Sequence, residues 1–127
     1  MSEIKARKTI EDFFKAFNNH DSEAHLQTIH FPHIRINGQG QVRINQTASD
    51  FPPLSTTLPY LSQKEGWHHS TLDSVEAIHV SEEKVHFNIQ FSRYKADGSR
   101  YAVHKSLWII TQKGGKWGVQ ARSSYAL

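Results

Sequence analysis

The residues of this chain best suited to chemistry lie near its end: His104, Ser106, Ser123 and Tyr125. Histidine and tyrosine can act as an acid–base pair, or as hydrogen-bond donors to a ligand carbonyl or enolate. Two tight turns decide whether these side chains meet. Asp97-Gly98 and Gly114-Gly115 each read as a two-residue hairpin loop, the kind that needs residues tolerant of positive φ. Counting from the first turn sets Phe91 opposite His104, Ile89 opposite Ser106 and Phe87 opposite Trp108. Counting from the second sets Ile110 opposite Val119, Trp108 opposite Ala121, Ser106 opposite Ser123 and His104 opposite Tyr125. Opposed residues share a face. The four polar groups would therefore cluster on a face otherwise made of Val85, Phe87, Ile89, Phe91, Trp108, Ile110, Trp117 and Val119. The plainer alternative is that they bond one another and satisfy a polar core.

Arg93 falls one step beyond the cluster, where it would either hold a carboxylate at a pocket mouth or stand solvated at a strand end. His30 and His33 flank Phe31-Pro32, close to where a pocket entrance would lie. The chain has nine histidines, yet no His-Glu-x-x-His, no His-x-His and no carboxylate spaced to complete a facial triad, so no metal and no cofactor is expected. His68 and His69 alternate across a strand and cannot serve one site. Asp73 and Glu76 fall on opposite faces, and counting from the Ser81–Lys84 turn places Glu76 beside Ile89 on the apolar face. Trp108, Trp67, Tyr60 and the N-terminal phenylalanines would form an aromatic wall for a small apolar or aromatic ligand, or simply a core.

The elements that position these residues are legible as periodicities. Val85, Phe87, Ile89 and Phe91 alternate with His86, Asn88, Gln90 and Ser92, the signature of a half-buried strand, and Tyr101–Gln112 and Lys116–Tyr125 continue the meander. Trp67–Val80 supplies a fourth strand. At the other end, Ala6, Ile10, Phe13, Phe14 and Phe17 form one stripe of an amphipathic helix over Ile4–Phe17, with Trp117 expected beneath Phe13 or Phe17. Asp21 caps a short second helix reaching Ile29, with Leu26 and Ile29 buried. Ile34, Ile36, Val42 and Ile44 suggest a small hairpin, and Leu54–Lys64 a short irregular helix.

At 127 residues the chain is long enough for one domain, 1–127, with its own core. It has no cysteine, which removes disulfides and thiol chemistry and fits a reducing, cytoplasmic setting. No apolar h-region opens the sequence, and no apolar run approaches the roughly 20 residues of a membrane helix. The net charge of +3 is scattered, without the basic stripe of a nucleic-acid binder. The second sheet face carries Val103, Leu107 and Ile109 among polar residues, too apolar to be fully solvated, so a homodimer burying part of it is expected.

A helix ending Phe-Phe-Lys-Ala-Phe-Asn-Asn-His-Asp, a His-Phe-Pro-His strand entry and a closing Gly-Gly-Lys-Trp-Gly-Val-Gln-Ala-Arg-Ser-Ser-Tyr together resemble the NTF2-like superfamily, and within it the SnoaL-like proteins. The resemblance spans nearly the whole chain. It implies an α+β fold: a cone-shaped half-barrel in which N-terminal helices pack on a curved antiparallel sheet and enclose a mostly apolar pocket, often in a homodimer. It implies small-molecule binding or, alternatively, isomerase, dehydratase or polyketide-cyclase chemistry through His104 and Tyr125. The carboxylate sets of the ketosteroid-isomerase-like and epoxide-hydrolase-like members have no counterpart here.

Overall fold

The computed structural model describes residues 1–126. Helix α1 (Ser2–Asn18) is followed by α2 (Ser22–Gln27), strands β1 (Ile29–Ile36) and β2 (Val42–Asn45), and a helical turn at Ala48–Asp50. Helix α3 (Leu54–Glu65) then leads into four long strands, β3 (His69–Val80), β4 (Lys84–Tyr94), β5 (Arg100–Lys113) and β6 (Lys116–Ser124). All six strands form one sheet in the order β2-β1-β6-β5-β4-β3, antiparallel throughout except where β1 runs parallel to β6. The sheet is curved and unclosed, with the helices on its concave side.

The stripe of α1 packs as its periodicity requires. Ala6, Ile10, Phe13 and Phe14 are buried against Val85, Phe87, Ile89, Phe91, Trp108, Ile110 and Val119. The aromatic filling beneath Phe13 is Trp108, not Trp117. The Trp108 ring meets Phe13 edge-on at 4.8 Å and stacks on Phe14 at 5.6 Å. Trp117 sits partly buried at the flank of α1, beside Thr9, Asp12 and Ala16. Polar ties fix the helix against β3: Asn18 Nδ2 donates to the Ser70 carbonyl at 2.7 Å, the Ser70 amide returns a bond to Asn18 Oδ1, and Arg7 donates to the Val75 carbonyl. A second apolar group, Leu54, Leu58, Leu61 and Trp67, seats α3 over the opposite end of the cone.

Asp21 caps α2, its carboxylate accepting the Ala24 amide at 3.0 Å. The helix is shorter than expected. Ile29 already belongs to β1, and the buried residue of α2 is His25, with Leu26 only half-buried.

Registers decide which residues face the cone. Between β4 and β5 the expected pairs are present: Phe91 opposite His104, Ile89 opposite Ser106, Phe87 opposite Trp108. They arise from two offsets that cancel. The turn is one residue longer than expected, since the Lys95 amide bonds the Ser99 carbonyl, and Tyr101 is the extra residue that restores the count.

Between β5 and β6 the Gly114-Gly115 turn is the expected two-residue loop, and Ile110 faces Val119. Beyond it a β-bulge at Gln120 shifts the register by one, so that Trp108 faces Arg122 and Ser106 faces Ser124. The bulged side chain is anchored on both flanks. Gln120 Oε1 accepts from Thr111 Oγ1 at 2.9 Å, and its amide donates to the Pro32 carbonyl. A further bulge at Ile78 sets Val75, not Glu76, opposite Ile89. Glu76 therefore faces Asn88 and leaves the concave side.

Candidate functional site

The bulge at Gln120 takes the expected polar cluster apart. Ser123 moves off the face that carries Trp108, and Tyr125, past the end of β6, is 77% exposed. His104 keeps its place opposite Phe91, 5.3 Å from that ring, but has no tyrosine across from it and lines neither of the two cavities described below. Burial, then Arg93, lowers its pKa. The expected acid–base pair is thus not assembled. Ser106 does lie on the concave face, where it serves Trp108: the indole Nε1 donates to Ser106 Oγ at 2.8 Å, and Ser106 donates to the Ser123 carbonyl at 2.9 Å. Here the plainer reading holds, since these bonds satisfy polar groups within the core.

His30 is also drawn elsewhere. Its ring is held by Thr111 Oγ1 at 2.9 Å and fills the space where a Cβ on Gly118 would stand, within 2.5 Å of the imidazole Cδ2. It lines no cavity.

What the fold does assemble is a cavity of about 830 Å³ bounded by α1, α2, α3, the β1–β2 hairpin and the deep end of β6. Phe13, Phe17, Phe51, Leu54 and Leu61 form its apolar wall. Of the residues singled out in the sequence, His33, Tyr60 and Arg93 line it, Tyr60 at the exposed rim. Trp108, Ser106 and Arg93 line a smaller void of about 50 Å³ that shares Phe13, Phe17, Arg35, Arg93 and Arg122 with it. Arg93 is a buried residue, not one at the mouth, and it is already paired. Its Nη1 lies 3.0 and 3.3 Å from the two Glu65 oxygens, and Tyr101 donates to the same carboxylate at 2.7 Å.

The chief feature of the cavity is one that sequence reasoning missed. Arg43 on β2 lies opposite Arg35 on β1, and Arg35 lies opposite Arg122 on β6, so three guanidinium groups share one rung of the sheet and all three line the cavity. Like charges opposed across strands destabilise a sheet. Arg122 sits over Phe13 at 5.1 Å and over Trp108 at 5.5 Å, within reach of favourable cation–π contact. Its Nε donates to His33 Nε2 at 3.2 Å. Burial, then Arg35 and Arg93, push the Arg122 pKa down to about 9, which leaves it charged at neutral pH. Burial, then Arg93 and Arg43, lower Arg35 in the same direction.

The two histidines of the cavity are held neutral. His33 is fully buried, and burial followed by the charges of Arg122 and Arg35 pushes its pKa down to about 2. His25, 4.4 Å from the Phe13 ring, falls to about 3, by burial and then Arg122. Since His33 Nε2 accepts from Arg122, the ring proton is on Nδ1, which has no partner among the described residues.

The one sequence signal for the arginine rung points the other way. Ile34, Ile36, Val42 and Ile44 look like the buried set of the hairpin, yet Ile36, Val42 and Ile44 are exposed and the arginines between them face in. Among the described residues no group of three His, Asp or Glu side chains could hold a metal ion, and no helix is long and apolar enough to cross a membrane.

The fold has many known counterparts. A protein from Novosphingobium aromaticivorans described as NTF2-like with a cystatin-like fold superposes with a TM-score of 0.77 at 12% identity, covering 99% of this chain and 82% of that one. An NTF2-like protein of unknown function from Shewanella oneidensis gives a TM-score of 0.70 at 11% identity, covering 98% and 99%. A structure from Catenulispora acidiphila, in complex with S-DNPA, gives 0.71 at 8% identity over 97% and 91%. No curated protein matches. The model of one family, NTF2-like protein (DUF6841), matches residues 2–126, and the chain belongs to that family.

Proposed function

We propose that this chain is a small-molecule-binding domain, read as one NTF2-like unit over 1–127, whose ligand lies between the curved sheet and the helices. The cavity carries this reading. Its volume of about 830 Å³ falls within the range typical of ligand sites, roughly 300–1,000 Å³. Its wall combines aromatic side chains with a few convergent polar groups, the pattern of a site that binds an apolar body and orients it. The S-DNPA bound to the Catenulispora acidiphila structure supports the same reading at the level of the fold. The SnoaL-like subtype belongs to the proposal through the His-Phe-Pro-His strand entry and the closing strand. A cytoplasmic setting fits the cysteine-free sequence.

The neutral fluorophore N-phenyl-1-naphthylamine tests the reading without presuming a charge. We expect saturable binding of one probe per chain, weakened at least tenfold by Thr57→Trp, which places an indole in the cavity. Equal binding by the variant would remove the reading, as would absence of saturable binding both by this probe and by small organic acids and amides.

A homodimer through the outer sheet face is part of the same proposal. Val103 and Leu107 on β5 lie on that face, 46% and 37% exposed. We expect light scattering to give twice the 14.6 kDa chain mass at micromolar concentration, with about 1,200–2,000 Å² buried. A strict monomer at high micromolar concentration rules this out.

A further inference from the structure

We propose that the Arg43–Arg35–Arg122 rung binds the carboxylate of a small organic acid whose apolar body lies against Phe13, Phe17 and Phe51. The inference rests on the small-molecule reading above and adds the chemical class of the ligand.

Charge carries the first part of the argument. Four arginines line the cavity, and only Arg93 has a carboxylate partner among the described residues. Arg35 and Arg122 are opposed on adjacent strands inside a cone that already depresses both groups. Stacking on Phe13 and Trp108 offsets part of this repulsion, but no protein anion in the described residues neutralises it.

Hydrogen-bond inventory carries the second part. Arg122 uses Nε on His33, and Arg35 makes one long bond, 3.4 Å, to the Ala126 carbonyl. The other N–H groups of Arg35 and Arg122 have no acceptor among the described residues, and Arg43, at the exposed side of the rung, makes no side-chain bond there. His33 Nδ1–H and Arg93 Nε, both on residues at least nine-tenths buried, lack acceptors too. Around the rung the unmet groups are donors, while neutral His25, on the α2 side of the cavity, keeps one ring nitrogen as an acceptor. A carboxylate, which only accepts and takes a guanidinium fork bidentately, matches the rung. The aromatic remainder of the wall calls for an apolar body on that carboxylate, which an inorganic anion lacks.

Titration calorimetry on the full chain separates the alternatives. The probes are benzoate, 2-naphthoate and octanoate, each paired with its uncharged amide, together with inorganic phosphate. We expect at least one carboxylate to bind ten times more tightly than its amide. Arg122→Gln and Arg35→Gln should each reduce that preference about tenfold while circular dichroism shows a folded chain. The second variant keeps the test open if the first fails to fold. Equal binding of acid and amide overturns the carboxylate and leaves the small-molecule reading standing. A preference that survives both Gln variants overturns the arginine rung. Phosphate binding as tight as the best carboxylate overturns the organic-acid class. If neither acids nor amides bind, and N-phenyl-1-naphthylamine also fails, both readings fall; if the neutral fluorophore alone binds, only the carboxylate falls.

Discussion

Replacing Trp108 by alanine is expected to destabilise the fold by about 3–5 kcal/mol, the range for removing a buried aromatic side chain. Trp108 is 2% exposed and is the hinge of the core: it contacts Phe13 and Phe14 of the helix, receives the Arg122 guanidinium over its ring and orders Ser106 through its indole N–H. Alanine would open a void under α1 and leave Ser106 Oγ without the indole donor. It would also remove one of the two rings over which the Arg122 guanidinium sits. Urea unfolding gives the magnitude. The same change at Trp117, partly exposed at the flank of α1, should cost clearly less. Comparable losses at the two sites would contradict the assignment of Trp108 to the centre.

Mild acid should weaken the fold before most carboxylates titrate. His33 and His25 are neutral when folded, at about 2 and about 3, against 6.5 when unfolded. A folded pKa below the unfolded one means that the unfolded chain binds the extra proton. The stabilising contribution is thus complete above pH 6.5 and is lost as pH falls below it. From pH 7 to pH 5 the loss is about 2 kcal/mol for each histidine, about 4 together. That is a large share of the roughly 5–15 kcal/mol typical of a domain. Urea midpoints measured across this interval should fall, and His33→Asn, which cannot titrate, should remove about half of the dependence. Stability that stays flat from pH 7 to pH 5 would show that these rings are not buried neutral.

How much of this was legible in the sequence depends on where hydrophobic patterning sets the register. Along β4 and the first half of β5–β6, Val85 to Phe91 and Ile110 opposite Val119 alternate cleanly, and the expected pairs are present. Past Val119 the strand reads Gln-Ala-Arg-Ser-Ser, and a polar run does not hold one face to the core. The Gln120 bulge enters there, anchored by a side-chain bond to Thr111 and another to the Pro32 carbonyl that no local pattern encodes. Glu76 was misplaced for a similar reason, by the extra residue Ile78 in β3, which lies at the sheet edge. The arginines were hidden by a different rule, since the β1–β2 hairpin turns its apolar side outward. Arg93 was found, but its partner Glu65 is 28 residues away, and only the fold brings the two together.

The bulge at Gln120 makes the character of the cavity a matter of parity. Along β6 the residues alternate between inside and outside, so one residue more or fewer before Arg122 exchanges the whole set. With the bulge, Arg122 and Ser124 look inward; without it, Ala121 and Ser123 would, and a cationic wall would become a small neutral one. A single-residue insertion or deletion in this strand thus rewrites ligand chemistry with almost no change in composition. Two relatives with the same residues here can hold opposite pockets, so strand length, counted from the Gly114-Gly115 turn, says more about what such a cone binds than the identity of aligned positions.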